Sequence, residues 1–212
     1  PRCCHPRPVD FALVEGVKQF AASIQSASDT DLRKLTSQLR ERIAGGATLY
    51  AEDIATASFA LTYEAVRRAL GMSFYDVQLL AGIVLSTGAI AEMQTGEGKT
   101  IVAALPAVLH ALSGEGVHLA TVNSYLAERD FRQLQPVFEL LGLSVGLVRD
   151  QAAPDQKRAA YDCDITYATG YQLGFDYLFD QITLQRRNNL QLGQPYRDRL
   201  RNRVSQGRQT MQ

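Results

Sequence analysis

Thr95-Gly96-Glu97-Gly98-Lys99-Thr100 decides how this chain folds and what it holds. A triphosphate is a dense polyanion and needs many hydrogen-bond donors at short range. Gly96 and Gly98 lack a Cβ, so the backbone there can wrap closely with its N–H groups turned inward. A helix beginning near Thr100 adds its unsatisfied N–H groups and the positive end of its dipole. Lys99 then reaches the β- and γ-phosphates, Thr100 offers its hydroxyl to Mg²⁺, and ATP is the expected ligand. The full pattern is G-x-x-x-x-G-K-[ST], and Met93 stands where its first glycine would be. Such a loop needs a strand before it and a helix after it. Ala89-Ile90-Ala91-Glu92-Met93 is the predicted strand, and the helix is predicted from Thr100 to about Leu112.

Upstream lies Phe74-Tyr75-Asp76-Val77-Gln78. A side-chain amide both donates and accepts, so Gln78 has the chemistry to read the edge of adenine. On spacing alone, an exposed helical glutamine explains it equally well. Met72, Tyr75 and Thr95 are adjacent candidates for the same nucleotide site.

Downstream, short apolar runs alternate with helical patterns. Strands are predicted over Val117–Val122, Ser144–Val148 and Ile165–Ala168. Helices are predicted over Ser124–Leu141, Pro154–Tyr161 and Gly174–Ile182. This order implies βαβ units and a parallel sheet, an α/β fold. Before it come helical patterns over Val9–Phe20, from Asp29-Thr30-Asp31 to a break at Gly45-Gly46, and from about Ala51 to Ala69. The expected organisation is a helical segment over 1–70, a partial nucleotide-binding domain over 71–182 and a basic, flexible tail over 183–212. That tail carries Arg186, Arg187, Arg197, Arg199, Arg201, Arg203 and Arg208 against a single acid, Asp198, and few apolar residues. Anionic lipid or nucleic acid is the alternative reading of so basic a stretch.

Composition excludes several classes. The 22 basic and 22 acidic residues cancel, so the chain as a whole does not point to a nucleic-acid partner. No apolar run reaches the length of a membrane span; the longest, around Leu79–Leu85, ends at Ser86-Thr87-Gly88. Cys3, Cys4 and Cys163 do not form a disulfide framework, which favours a reducing compartment. Cys3-Cys4-His5 has no second Cys/His cluster to complete a metal site, so an unstructured terminus is expected. His110 and His118 read as structural. Asp162, Asp164, Asp176 and Asp180 read as caps or surface groups. The chain begins at Pro1, not Met, which suggests a fragment or a gene model that starts late.

Several separate blocks together resemble the SecA family of motor ATPases of bacterial preprotein translocation. They are Gly71-Met72, Asp76-Val77-Gln78-Leu79-Leu80, Ala91-Glu92-Met93, the loop itself, and Leu112-Ser113-Gly114-Glu115-Gly116-Val117-His118. Thr121-Val122-Asn123, Tyr125-Leu126-Ala127, Arg129-Asp130, Phe138 to Leu143, Asp164 to Tyr167 and Gly174 to Leu178 continue the match to about Asp180. The family has methionine where Met93 stands. The resemblance implies a RecA-like P-loop fold of the DEAD-motor type, with helices packed ahead of it. It implies that Gln78 contacts adenine, that Gly96, Glu97, Gly98 and Lys99 hold phosphates, and that Thr100 helps bind Mg²⁺. Implied partners are a SecY-type channel, unfolded preprotein and anionic lipid, and the implied location is the cytoplasm, at the periphery of the inner membrane.

The chain also departs from the family. Ser124 replaces an Asp, Ala168 a Gly, Gly170-Tyr171 a pair of Asn, and Phe179 an Arg. These positions follow the loop, in segments that couple nucleotide to motion, and they mark a divergent member. The family's acidic Asp-Glu motif, which positions Mg²⁺ and the attacking water, does not occur in these residues, nor does a second motor domain. Phosphoryl transfer needs a metal holder and a positioned water. The expectation is therefore a motor fragment that binds ATP and hydrolyses it barely or not at all. A DEAD-type helicase relative and a nucleotide-regulated binding module without motor activity are the alternatives.

Overall fold

The computed structural model describes residues 11–188. The Cys3-Cys4-His5 cluster and the arginine-rich stretch beyond Asn188 lie outside them. The described chain divides into two compact units, residues 11–113 with Pro136–Gly142, and residues 114–135 with 143–188.

The first unit is helical. It contains α1 (Phe11–Ser23), α2 (Asp29–Ala44), α3 (Glu52–Leu70), α4 (Asp76–Ser86) and α5 (Lys99–Ala111). The predicted start of α2 is sharpened by one residue. Ser28 is the cap, with its Oγ accepting from the Asp31 N–H at 3.2 Å and the Asp31 carboxylate accepting from the Ser28 N–H at 3.2 Å. α3 is the centre of the unit, since Ile54, Phe59, Ala60, Leu61, Ala65 and Val66 are all buried. A helix buried on so many sides needs partners around it, and α1, α2 and α5 pack against it.

Glu64, 1% exposed, is the one carboxylate inside α3's packing. It accepts from Arg67 at 2.7 and 2.8 Å and from Arg68 at 2.6 Å. Arg68 also donates to Asp29 at 2.7 Å and to the Ala27 carbonyl at 2.7 Å. A buried charge so paired avoids the penalty of isolation and locks α3 to the connection between α1 and α2. From the second turn of α2, Arg33 donates to the carbonyls of Glu139 and Leu140 at 3.1 and 3.3 Å, capping the end of the helix α6 (Ser124–Leu140).

The second unit holds a parallel sheet of β1 (Val117–Thr121), β2 (Val145–Leu147) and β3 (Ile165–Thr169) in the order β1-β3-β2. Val117 and Val145 both lie opposite Ile165, and Leu119 and Leu147 both lie opposite Tyr167. β3 is central and buried along its whole length, as a strand flanked on both sides should be. The helices are α6 (Ser124–Leu140), α7 (Pro154–Tyr161) and α8 (Gly170–Asn188). The last part of α6, from Pro136, belongs to the first unit. Asn123 caps α6, its Oδ1 accepting from the Leu126 N–H at 2.9 Å.

Asp176 on α8 is not the surface group or cap expected of it. Its carboxylate accepts from Lys157, Tyr161 and Gln172, each at 2.8 Å, and so binds α7 to α8. Asp164 ties the starts of β2 and β3, accepting from the Ser144 N–H at 2.9 Å and its hydroxyl at 2.7 Å.

Two expectations of local structure are corrected. Ala89–Met93 is not a strand. Alternation makes a segment ready for a sheet, but only hydrogen bonds to a neighbour make it one, and Ile90 is instead 93% exposed. The second correction concerns α8, which begins at Gly170 and runs on through Asn188, where a structureless stretch was expected from Thr183. Leu184, Gln185, Arg186 and Arg187 are all good helix formers, and no Gly or Pro interrupts them.

Candidate nucleotide-phosphate site

The loop from Gln94 to Gly98 lies in the first unit and enters α5 directly at Lys99. Gly96 has φ +90° and Gly98 φ +78°, backbone angles that a side chain disfavours, so the loop's tight path depends on these two residues. Gly98 has a second reason to be glycine: a Cβ there would sit 2.6 Å from the Gln78 side-chain nitrogen. Its left-handed turn is also the N-cap of α5. The N–H groups of that helix's first turn point back into the loop, where an anion is favoured.

Inside the loop, one residue gathers the contacts. The Gln94 carbonyl accepts from Lys99 Nζ at 2.6 Å and from the Glu97 N–H at 3.3 Å. The Gln94 N–H donates to Glu97 Oε2 at 2.6 Å. Gln94 was not among the expected site residues, because its part is played by backbone atoms that its side chain does not announce. A signal did exist: a glutamate three residues after Gln94 repeats the spacing by which a capping carboxylate reaches back to a backbone N–H.

Gln78 is buried against this loop, not exposed on its helix. Its Nε2 donates to the Glu97 carbonyl at 2.9 Å, and its Oε1 accepts from the Tyr75 N–H at 3.0 Å, where α4 begins. α4 packs against α5 beside this contact, with room for no side chain at Gly82. A Cβ on Gly82, one turn beyond Gln78, would meet Leu105 of α5 at 2.5 Å.

Contacts thus join Tyr75, Gln78, Glu97, Gly98 and Lys99 into one cluster. Tyr75 is 74% exposed beside it. Met72 is exposed on the connection between α3 and α4, and Thr95 and Gly96 are exposed in the loop. Thr100 stands on the first turn of α5. The donor set suits Mg²⁺ arriving with a nucleotide, an ion held by few protein groups plus phosphate oxygens and water. Among the described residues no group of three or more His, Cys, Asp or Glu is placed to hold a metal by itself. Among them, too, no helix is long and apolar enough to cross a membrane.

The SecA DEAD-like domain family matches residues 11–197. Over 170 residues, 80% of this chain, it is 49% identical to the protein translocase subunit SecA of Thermosynechococcus vestitus. It is 46% identical over 184 residues, 87% of the chain, to the corresponding subunit of Alcanivorax borkumensis. Identity is 48% over 176 residues, 83% of the chain, with the chloroplastic SECA2 translocase subunit of Arabidopsis thaliana. The chain spans 18%, 20% and 16% of the lengths of these three relatives.

Proposed function

Since the chain belongs to the SecA family, in the part that carries its DEAD-like domain, we propose that it forms the ATP-binding N-terminal part of a preprotein translocase motor. In the working protein, ATP hydrolysis drives polypeptides through a membrane channel. The observation that carries the nucleotide part is the loop geometry: two left-handed glycines, the Lys99 ammonium and the start of α5 converge within seven residues. The backbone N–H groups of Gly96, Glu97 and Gly98 bind the β- and γ-phosphates together with Lys99, which supplies the cation. Thr100 supplies the protein's ligand to Mg²⁺, which neutralises phosphate charge when bound. Gln78 and Tyr75, with Met72 and Thr95 nearby, form the base side of the site.

In this reading residues 1–70 are a helical segment, 71–182 a partial RecA-like domain and 183–212 a basic segment suited to anionic lipid. The partners are a SecY-type channel and unfolded preprotein, and the protein works in the cytoplasm at the inner membrane. The 212 residues include no Asp-Glu pair. They bind nucleotide and turn it over barely or not at all, because the acidic pair by which the family positions Mg²⁺ and the attacking water does not occur in this sequence.

The test is a titration of the purified chain with Mg-ATP, following the amide signals of residues 94–100. Those signals move, and Lys99→Ala shifts the movement to roughly tenfold to hundredfold higher ligand. Signals that stay fixed at millimolar ligand would overturn the nucleotide site, and robust multiple turnover by this chain would overturn the account of its missing chemistry.

A further inference from the structure

We propose that the Glu97 carboxylate latches the loop against polyanions by holding Gln94 across its donors, so that Glu97 sets how readily a polyphosphate enters. This rests on the nucleotide reading above. The Gln94 backbone bridges the loop's anion and its cation: its N–H meets Glu97 Oε2 at 2.6 Å and its carbonyl meets Lys99 Nζ at 2.6 Å. The same carbonyl also takes the Glu97 N–H at 3.3 Å. The Lys99 ammonium and the Glu97 N–H are donors that a phosphate needs, and Gln94 occupies both.

Glu97 is itself fixed from the other side, because its carbonyl accepts from Gln78 at 2.9 Å. With its N–H tied to so anchored a residue, Gln94 has little freedom to swing its carbonyl away. An arriving polyphosphate must therefore displace that carbonyl from two donors, and must do so beside a carboxylate of its own sign. Binding is weakened by the fraction of molecules in which the latch is closed.

The experiment measures the affinity of the 212-residue protein for Mg-ATP and, separately, for inorganic tripolyphosphate, by titration calorimetry. Glu97→Ala removes both the acceptor and the charge. Losing one charge-assisted hydrogen bond at an exposed site raises affinity for both ligands roughly threefold to tenfold. Glu97→Gln keeps an acceptor without the charge and falls between. The Gln94 amide signal of Glu97→Ala moves toward that of an unbonded N–H, and an unchanged thermal midpoint shows that the fold is intact. Equal or weaker binding by Glu97→Ala, with wild type binding normally, overturns the latch and leaves the nucleotide site standing. Failure of the wild type to bind either ligand overturns the nucleotide reading and the latch with it.

Discussion

Gln78 and Glu97, 19 residues apart, are joined by a 2.9 Å hydrogen bond from the side-chain amide of the first to the backbone carbonyl of the second. The bond fastens the start of α4 to the phosphate loop, and the same amide accepts from the Tyr75 N–H at 3.0 Å. Gln78→Glu keeps the second contact and loses the first, setting a carboxylate oxygen against the Glu97 carbonyl. It lowers stability by about 1–3 kcal/mol, the usual effect of losing a hydrogen bond in a buried position. Urea midpoints at constant slope measure this. An unchanged midpoint would mean that the tie contributes nothing.

Lys99 makes its contact with the Gln94 carbonyl from an exposed position, so its removal leaves little of the fold unsupported. Lys99→Ala lowers Mg-ATP affinity by roughly tenfold to a hundredfold, as expected for a lost charge-assisted contact to phosphate. The far-ultraviolet circular dichroism stays that of the wild type. Lys99→Arg retains the charge but presents a planar fork where a compact ammonium fits, and recovers the affinity only in part.

At Gly82, α4 is in close contact with Leu105 of α5. A methyl group there would stand 2.5 Å from Leu105 Cδ1 and 2.9 Å from Leu105 Cβ, so the helices must move apart. Gly82→Ala destabilises by about 1–3 kcal/mol through overpacking, even though alanine is the better helix former. Because Gln78 sits one turn away, the variant also weakens the Gln78–Glu97 tie, and Mg-ATP binding falls with stability. A stabilised Gly82→Ala protein would show that helix propensity outweighs the contact.

Glu64 and Asp176 set the response to acid. For Glu64, burial favours the neutral form, but the bonds from Arg67 and Arg68 outweigh it and hold its pKa below the usual carboxylate range. For Asp176, burial again opposes the charge, and the bonds from Lys157, Gln172 and Tyr161 prevail in the same way. A carboxyl with a lower pKa folded than unfolded binds protons more readily when unfolded. Its contribution is complete above the unfolded pKa, about 4, and is lost as pH falls through the folded value. Stability measured by urea unfolding therefore drops below about pH 4.5, and the combined Glu64→Gln and Asp176→Asn variant, less stable at pH 7, shows a shallower acid slope. An acid slope equal to that of the wild type would place the sensitive groups elsewhere.

The alternation of strand and helix after Gly114 was legible because it rests on short-range patterns, short apolar runs separated by longer stretches of helical spacing. The tight turn through Gly96 and Gly98 into α5 was legible for the same reason, since these residues act as neighbours in the chain. Only the tertiary structure decided that Gln78 is a buried strut, that Asp176 joins two helices, that Gln94 is the hub of the loop and that Ala89–Met93 pairs with no strand. Periodicity specifies what a segment can become. Pairing and packing depend on partners brought from far along the chain, as Leu105 is to Gly82, and local spacing cannot say whether they arrive.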